Sequence, residues 1–270
     1  MAPGRWLTLA LGWLLLKIVH EIGHAATCKR YGGKVPKAGL ALILFMPIAF
    51  VDVTSSWQFN SKWKRIHVAL GGVLAEAYVA CIALFGWQYT DSLFLKQMAA
   101  DVALLATVSS ALFNLNPLLK FDGYFVLADF TGRHNLYQTG QKYARYFGAR
   151  YLLGVASEKQ ARGLNQEATW VKLYALSAAC WRTVTLVGLM TAASIMFEGA
   201  GIILALIGFC TFIFSPLKAL LKYLAKQSEE ANLAMGPVVL RFGLISFAAI
   251  GLAFLVPADL QQATPGIVEY

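Results

Sequence analysis

Two imidazoles and a carboxylate stand together in Lys17-Ile18-Val19-His20-Glu21-Ile22-Gly23-His24. On a helix, His20 and His24 lie four residues apart on one face, a turn from each other, so both rings can reach a single ion. Glu21 need not be a ligand: a carboxylate there can take a proton from water and pass it to a leaving group. The ion would lower the pKa of bound water towards neutrality and polarise a carbonyl. The ligand types favour Zn2+, one per chain, and two histidines leave its coordination incomplete. A third protein ligand has to come from elsewhere, with a fourth position left open. The chemistry indicated is metal-assisted hydrolysis with Glu21 as general base.

The candidate third ligand is Asp122, in Asn116-Pro117-Leu118-Leu119-Lys120-Phe121-Asp122-Gly123-Tyr124. On spacing alone it reads equally well as half of an Asp-Gly turn, and Asn116 as a cap at a helix end broken by Pro117. Lys17, one turn before Glu21, could pair with it along the helix or extend its amine towards lipid headgroups. His67 and His134 read as surface residues and Arg182 as an interfacial boundary. The cysteines at 28, 81, 180 and 210 form no CxxC pair and argue for neither disulfides nor a metal cluster.

The elements that must position these residues are apolar. Of 270 residues 58% are hydrophobic and only 14% charged, too little charge to cover a water-soluble domain. Runs long enough to cross a hydrocarbon core predict about six transmembrane helices: Trp6–Ala26, Ile66–Trp87, Leu93–Phe113, Thr183–Phe197, Ile202–Phe214 and Val238–Val256. The start at Trp6 reads as a retained helix, not a cleaved signal. Between the first two spans, residues 38–53 are apolar but broken by Pro47, which predicts a re-entrant or hairpin segment packed against the functional interior. The expected fold is an all-α membrane protein with that one interruption.

Twenty of the twenty-three basic residues fall in alternate loops: seven between Cys28 and Arg65, nine between Lys120 and Arg182, and four between Lys218 and Arg241. That distribution reports topology and not nucleic acid, and by the positive-inside rule it makes both termini extracytoplasmic. It also sets Asp122 at the same cytoplasmic ends as His20 and His24. Residues 131–170 form a soluble-looking cytoplasmic loop with room for one or two amphipathic helices, and Leu217–Gln227 reads as an interfacial helix.

Together these motifs resemble the site-2 protease family of intramembrane zinc metalloproteases, in which HExxH on one span and an Asn-Pro…Asp-Gly motif on another build the site. The likeness covers roughly residues 6–256 and extends to a branch of peptide zinc metalloproteases often joined to a membrane-fusion-type periplasmic adaptor. That branch is similar in Phe50-Val51-Asp52-Val53, Ser56-Trp57 and Phe113 through Tyr124. The resemblance implies that Asp122 is the third zinc ligand, Glu21 the catalytic base and Asn116 an aid in holding substrate backbone. It implies a bacterial inner-membrane location, with residues 1–256 as the membrane metalloprotease domain and 257–270 as an extracytoplasmic tail like the opening of an adaptor. Many members carry a Gly-Pro…Asn element where this chain has Gly72-Val73-Leu74-Ala75-Glu76, which makes Glu76 a candidate polar wall for substrate.

Three functions follow from these readings. The leading one is a membrane metallopeptidase acting on a membrane-bound or exported peptide. A second is a non-proteolytic component of an export or efflux assembly, with a periplasmic adaptor as partner. Metal transport ranks last, because beyond Glu76 the later spans offer almost no ionisable groups to line a path. The charge argument predicts that a reporter fused after Tyr270 behaves as extracytoplasmic; a cytoplasmic signal would overturn it.

Overall fold

The computed structural model describes residues 4–43, 46–152, 163–164, 166–196, 218 and 240–241. Among them, four helices are long and apolar enough to cross a membrane: Thr8–Arg30, Lys62–Tyr89, Leu93–Asn114 and Thr169–Thr191. The protein is thus mostly helical and membrane-type. The spans expected at Ile202–Phe214 and Val238–Val256, the interfacial helix at 217–227 and the tail at 257–270 lie outside the described residues, Lys218, Leu240 and Arg241 apart. The chain divides into two compact units, Met1–Gln141 with Thr169–Gly188, and Lys142–Ala168 with Leu189–Tyr270.

In the first unit, α1 (Gly4–Arg30) ends where Gly32 adopts a left-handed φ of 82° and the Gly33 N–H bonds back to the Cys28 carbonyl. The chain then forms an antiparallel hairpin of β1 (Ala38–Ile43) and β2 (Met46–Val51), with Ala38 opposite Val51 and Leu42 opposite Pro47. The interruption expected at 38–53 is therefore a β-hairpin, and Pro47 sits in a two-stranded sheet where its missing donor is tolerated. A 3-10 turn (Thr54–Gln58) leads into α2 (Lys62–Tyr89), and α3 follows (Leu93–Ser109). After α3 a π-helical turn, Ser110–Asn114, is closed by the Leu115 N–H on the Ser110 carbonyl at 2.7 Å. Beyond it come α4 (Asp122–Thr131), α5 (Leu136–Phe147) and α6 (Thr169–Met196).

The fourth span differs from the sequence expectation: α6 begins at Thr169, where the apolar reading started it at Thr183. Lys172 and Arg182 masked its first half. Arg182 lies midway along the helix and marks no boundary; its guanidinium donates to the Ala178 carbonyl and the Tyr137 hydroxyl and lies over the Tyr137 ring. These partners offset the cost of a cation on an apolar helix. Two of the nine basic residues between Lys120 and Arg182 are thus inside a candidate span. Between Asp122 and α6, α5 is the amphipathic helix expected there, continuing into a second π-helical turn at Gly148–Leu152.

Large apolar side chains point outward from the helices, among them Leu15, Ile22, Tyr78, Ile82, Phe85, Leu93 and Leu104. In water such a surface would drive aggregation; against lipid tails it needs no cover. The inward stripe of α2 is made instead of Val68, Gly72, Glu76 and Ala80, four residues apart and all buried. It runs antiparallel to α1, so Val68 meets His24, Gly72 meets His20, Glu76 meets Lys17, and Ala80 shares a cluster with Leu16. The backbones touch at Gly23 and Gly71: a methyl on Gly71 would lie 2.6 Å from the Gly23 carbonyl oxygen and 2.7 Å from the Thr27 hydroxyl. Gly71→Val should therefore cost about 1–3 kcal/mol in thermal unfolding. Gly86→Val, where nothing lies within 4 Å of an added carbon, should show only the small propensity change of an exposed helix position.

Candidate metal centre

His20 and His24 project from one face of α1 into the seam with α2, 5% and 6% exposed. Their Nε2 atoms are 3.0 Å apart, and the Oδ2 of Asp122 lies 3.0 Å from the His20 Nε2 and 3.4 Å from the His24 Nε2. The three polar atoms lie this close with the rings edge to face at 80°, and each can offer a lone pair to one point between them. A tetrahedral ion with bonds of about 2.0–2.1 Å would separate its ligands by roughly 3.3 Å. The donor set and its spacing thus fit a zinc-type ion held by His20, His24 and Asp122.

Each of the three side chains is fixed from behind. The His24 Nδ1 lies 2.7 Å from the Val68 carbonyl, an acceptor only, so Nδ1 carries the proton and the Nε2 lone pair faces the centre. Gly72 leaves room for His20, since an added methyl would meet its ring at 2.5 Å. Asp122 opens α4, where a carboxylate suits the helix N-terminus. Gly123 behind it packs on the Leu115 main chain, closer than any side chain would allow. The far end of α4 is tied to α2 by Arg65 Nε on Asp129 Oδ1 at 2.6 Å and by Lys62 on the Phe130 carbonyl.

Glu21 is half-buried beside the histidines, with Val51 of β2 next to it. It lines three cavities among the described residues, two of which also border Asp122. One, about 290 Å³, is bordered by His24, Asp52, Trp57, Arg65, Asp122 and Asp129; the other, about 610 Å³ and mainly apolar, by Trp13, His20, Ile48, Leu105, Phe113 and Phe121.

Asn116 is placed differently from its expected role. Its amide donates to the Leu112 carbonyl and its oxygen accepts from the Leu118 N–H at 2.9 Å, so both ends serve the turn before Pro117. The asparagine at the centre is Asn114, 8% exposed, whose amide lies 3.2 Å from Glu76 and 3.4 Å from the His20 Nδ1. Glu76 itself, 1% exposed, faces His20, and it takes the amine of Lys17 at 2.8 Å. Lys17 thus crosses to α2 and does not pair with Glu21 along its own helix. His67 and His134 are exposed, as expected. The sequence signal for Asn114 was present in Phe113-Asn114-Leu115-Asn116-Pro117, but which asparagine turns inward depends on the π-helical turn.

Known proteins share part of this chain. It is 25% identical over 126 residues to "Putative peptide zinc metalloprotease protein YydH" of Bacillus subtilis (strain 168), covering 46% of this chain and 48% of that protein. It is 31% identical over 88 residues to "Uncharacterized protein MJ0971" of Methanocaldococcus jannaschii, covering 32% of this chain and 24% of the relative. The matches span at most about half the length of either relative. No family model and no solved structure matches. The likeness to a named zinc metalloprotease agrees with the donor set but extends to under half of the chain.

Gly72 generates a direct test. Gly72→Ala should leave helix content unchanged and weaken zinc binding by about tenfold or more by displacing the His20 ring, measured by competition with a chromophoric chelator. Unchanged affinity would show that the ring has room the geometry denies it.

Proposed function

We propose that this chain is a zinc-dependent membrane metallopeptidase of the site-2 protease type, hydrolysing a peptide bond in a membrane-bound or exported peptide. The observation that carries the reading is the convergence of the His20 and His24 Nε2 atoms on Asp122 beside a half-buried Glu21 in a layer of apolar helices. The partial likeness to a protein named as a zinc metalloprotease supports it.

His20, His24 and Asp122 hold the ion, which when bound supplies polarisation of the scissile carbonyl and acidification of the attacking water. Glu21 takes the proton from that water and delivers it to the leaving amine. Its place on the wall of both cavities gives it access to water on one side and to an apolar segment on the other. A helical substrate shields its carbonyls by its own hydrogen bonds and must unwind to react. The hairpin beside Glu21 offers strand backbone on which an extended stretch could be held.

In the same reading the chain is a multi-pass protein of a bacterial inner membrane with both termini extracytoplasmic. Residues 1–256 form the protease domain, and 257–270 lead towards an adaptor or export component as partner.

The test compares metal content and cleavage of single-span peptides in the purified protein. Glu21→Gln should retain stoichiometric zinc and lose hydrolysis by about 10²–10⁴-fold. His20→Ala and Asp122→Ala should lose both zinc and activity. Wild-type turnover in Glu21→Gln would sink the assignment of the base, while zinc without cleavage of any peptide would favour a non-proteolytic export role.

A further inference from the structure

The cluster behind His20 has no part in the chemistry set out above, and it is costly. Glu76, 1% exposed, sits on a span with Lys17 on one oxygen and Ser110 and Asn114 on the other. Ionisable groups at such depth are retained where they have a task. Two tasks fit the geometry: a structural clasp between α1, α2 and the turn after α3, or the orientation of His20, whose Nδ1 lies 3.3 Å from the Glu76 Oε1.

The two histidines differ at Nδ1 in a way that separates these tasks. For His24 the acceptor is a main-chain carbonyl, set by the helix itself. For His20 the neighbours of Nδ1 are the Glu76 carboxylate and the Asn114 amide nitrogen. The amide nitrogen only donates, so once the His20 Nε2 lone pair faces the centre and Nδ1 carries the proton, the acceptor on that side is Glu76. Among the described contacts no main-chain carbonyl is bonded to the His20 Nδ1, and Gly72 opposite the ring supplies space. Lys17 balances the charge of the carboxylate, and Ser110 and Asn114 occupy its other oxygen, which leaves Oε1 directed at the ring.

We infer that Glu76 is a positioning residue for the metal centre: its carboxylate, neutralised by Lys17 and steadied by Ser110 and Asn114, accepts the Nδ1 proton of His20 and fixes that ring with Nε2 towards the ion. This rests on the proposed zinc-peptidase reading and replaces a substrate-facing role for Glu76. Loss of such an outer partner of a histidine ligand lowers metal affinity by about 10–100-fold.

The experiment measures zinc affinity by chelator competition and the visible spectrum of the Co2+-loaded full chain, with thermal unfolding of each variant as the control for folding. Glu76→Gln should bind zinc about 10–100-fold more weakly, with an altered Co2+ band. Because Glu76→Gln leaves Lys17 uncompensated, the double variant Lys17→Met with Glu76→Gln removes both charges. It should recover thermal stability yet keep the weakened affinity and the altered band. Wild-type zinc affinity in either folded variant would overturn the positioning role and leave the zinc-peptidase reading intact. A wild-type chain that binds no zinc would overturn both.

Discussion

The contact on which the rest depends is the backbone approach of α1 and α2 at Gly23 and Gly71. Two lipid-facing helices gain little from hiding apolar surface, since the lipid is as apolar as they are; close packing and interhelical hydrogen bonds have to hold them. Small residues at the crossing allow that closeness, and the closeness makes the hydrogen bonds. Only with the backbones in contact can the His24 ring reach the Val68 carbonyl at 2.7 Å and the Lys17 amine reach Glu76 at 2.8 Å. The facing residues are four apart on α2 and three or four apart on α1, so a single antiparallel register sets His20, His24 and Glu76 together.

Charge is distributed along this seam in opposed pairs. Glu76 is offset by Lys17, and Asp129 by Arg65. A buried pair gains little net stability over an apolar pair of the same shape, but removing one partner costs about 3–5 kcal/mol because the other is left without compensation. The pairs therefore serve placement more than stability. Arg65–Asp129 holds α4 against α2 and with it the carboxylate of Asp122, which arrives from a segment nearly one hundred residues after His24 in sequence. Lys17–Glu76 holds α1 against α2 on the other side of His20. The centre lies between two such ties.

The histidine–glutamate motif, its place near the end of the first span and Asp122 as the carboxylate meeting it were legible because each depends on short-range spacing or on which loop a residue occupies. The hairpin at 38–51 was legible as an interruption, since Pro47 and the length of the run exclude a spanning helix, but strand pairing depends on a register that no local signal fixed. What the sequence could not show was any partner chosen by helix rotation. Lys17 had Glu21 one turn away and Glu76 fifty-nine residues away, and only the α1–α2 crossing selects Glu76. Asn114 and Asn116 differ by two positions, and an extra residue in the turn after α3 decides that Asn114 faces inward. The start of α6 was misplaced for a related reason: Arg182 reads as an interfacial charge until Tyr137, forty-five residues away, is seen beneath it.

The two cavities give these placements a common sense. The smaller is bordered in part by the charged side chains of Asp52, Arg65 and Asp129. The larger is bordered by Trp13, Leu104, Leu105 and Val108, which an apolar segment would wet and water would not. Glu21 and Asp122 border both. A hydrolase acting on an apolar peptide has to bring together a water molecule and a backbone that excludes water, and the group that moves the proton must touch each. On this chain one turn of α1 and the first residue of α4 stand between a partly polar cavity and a mainly apolar one. The hairpin stands beside it, so in the proposed reaction the strand that would align a substrate also lies against the proposed base.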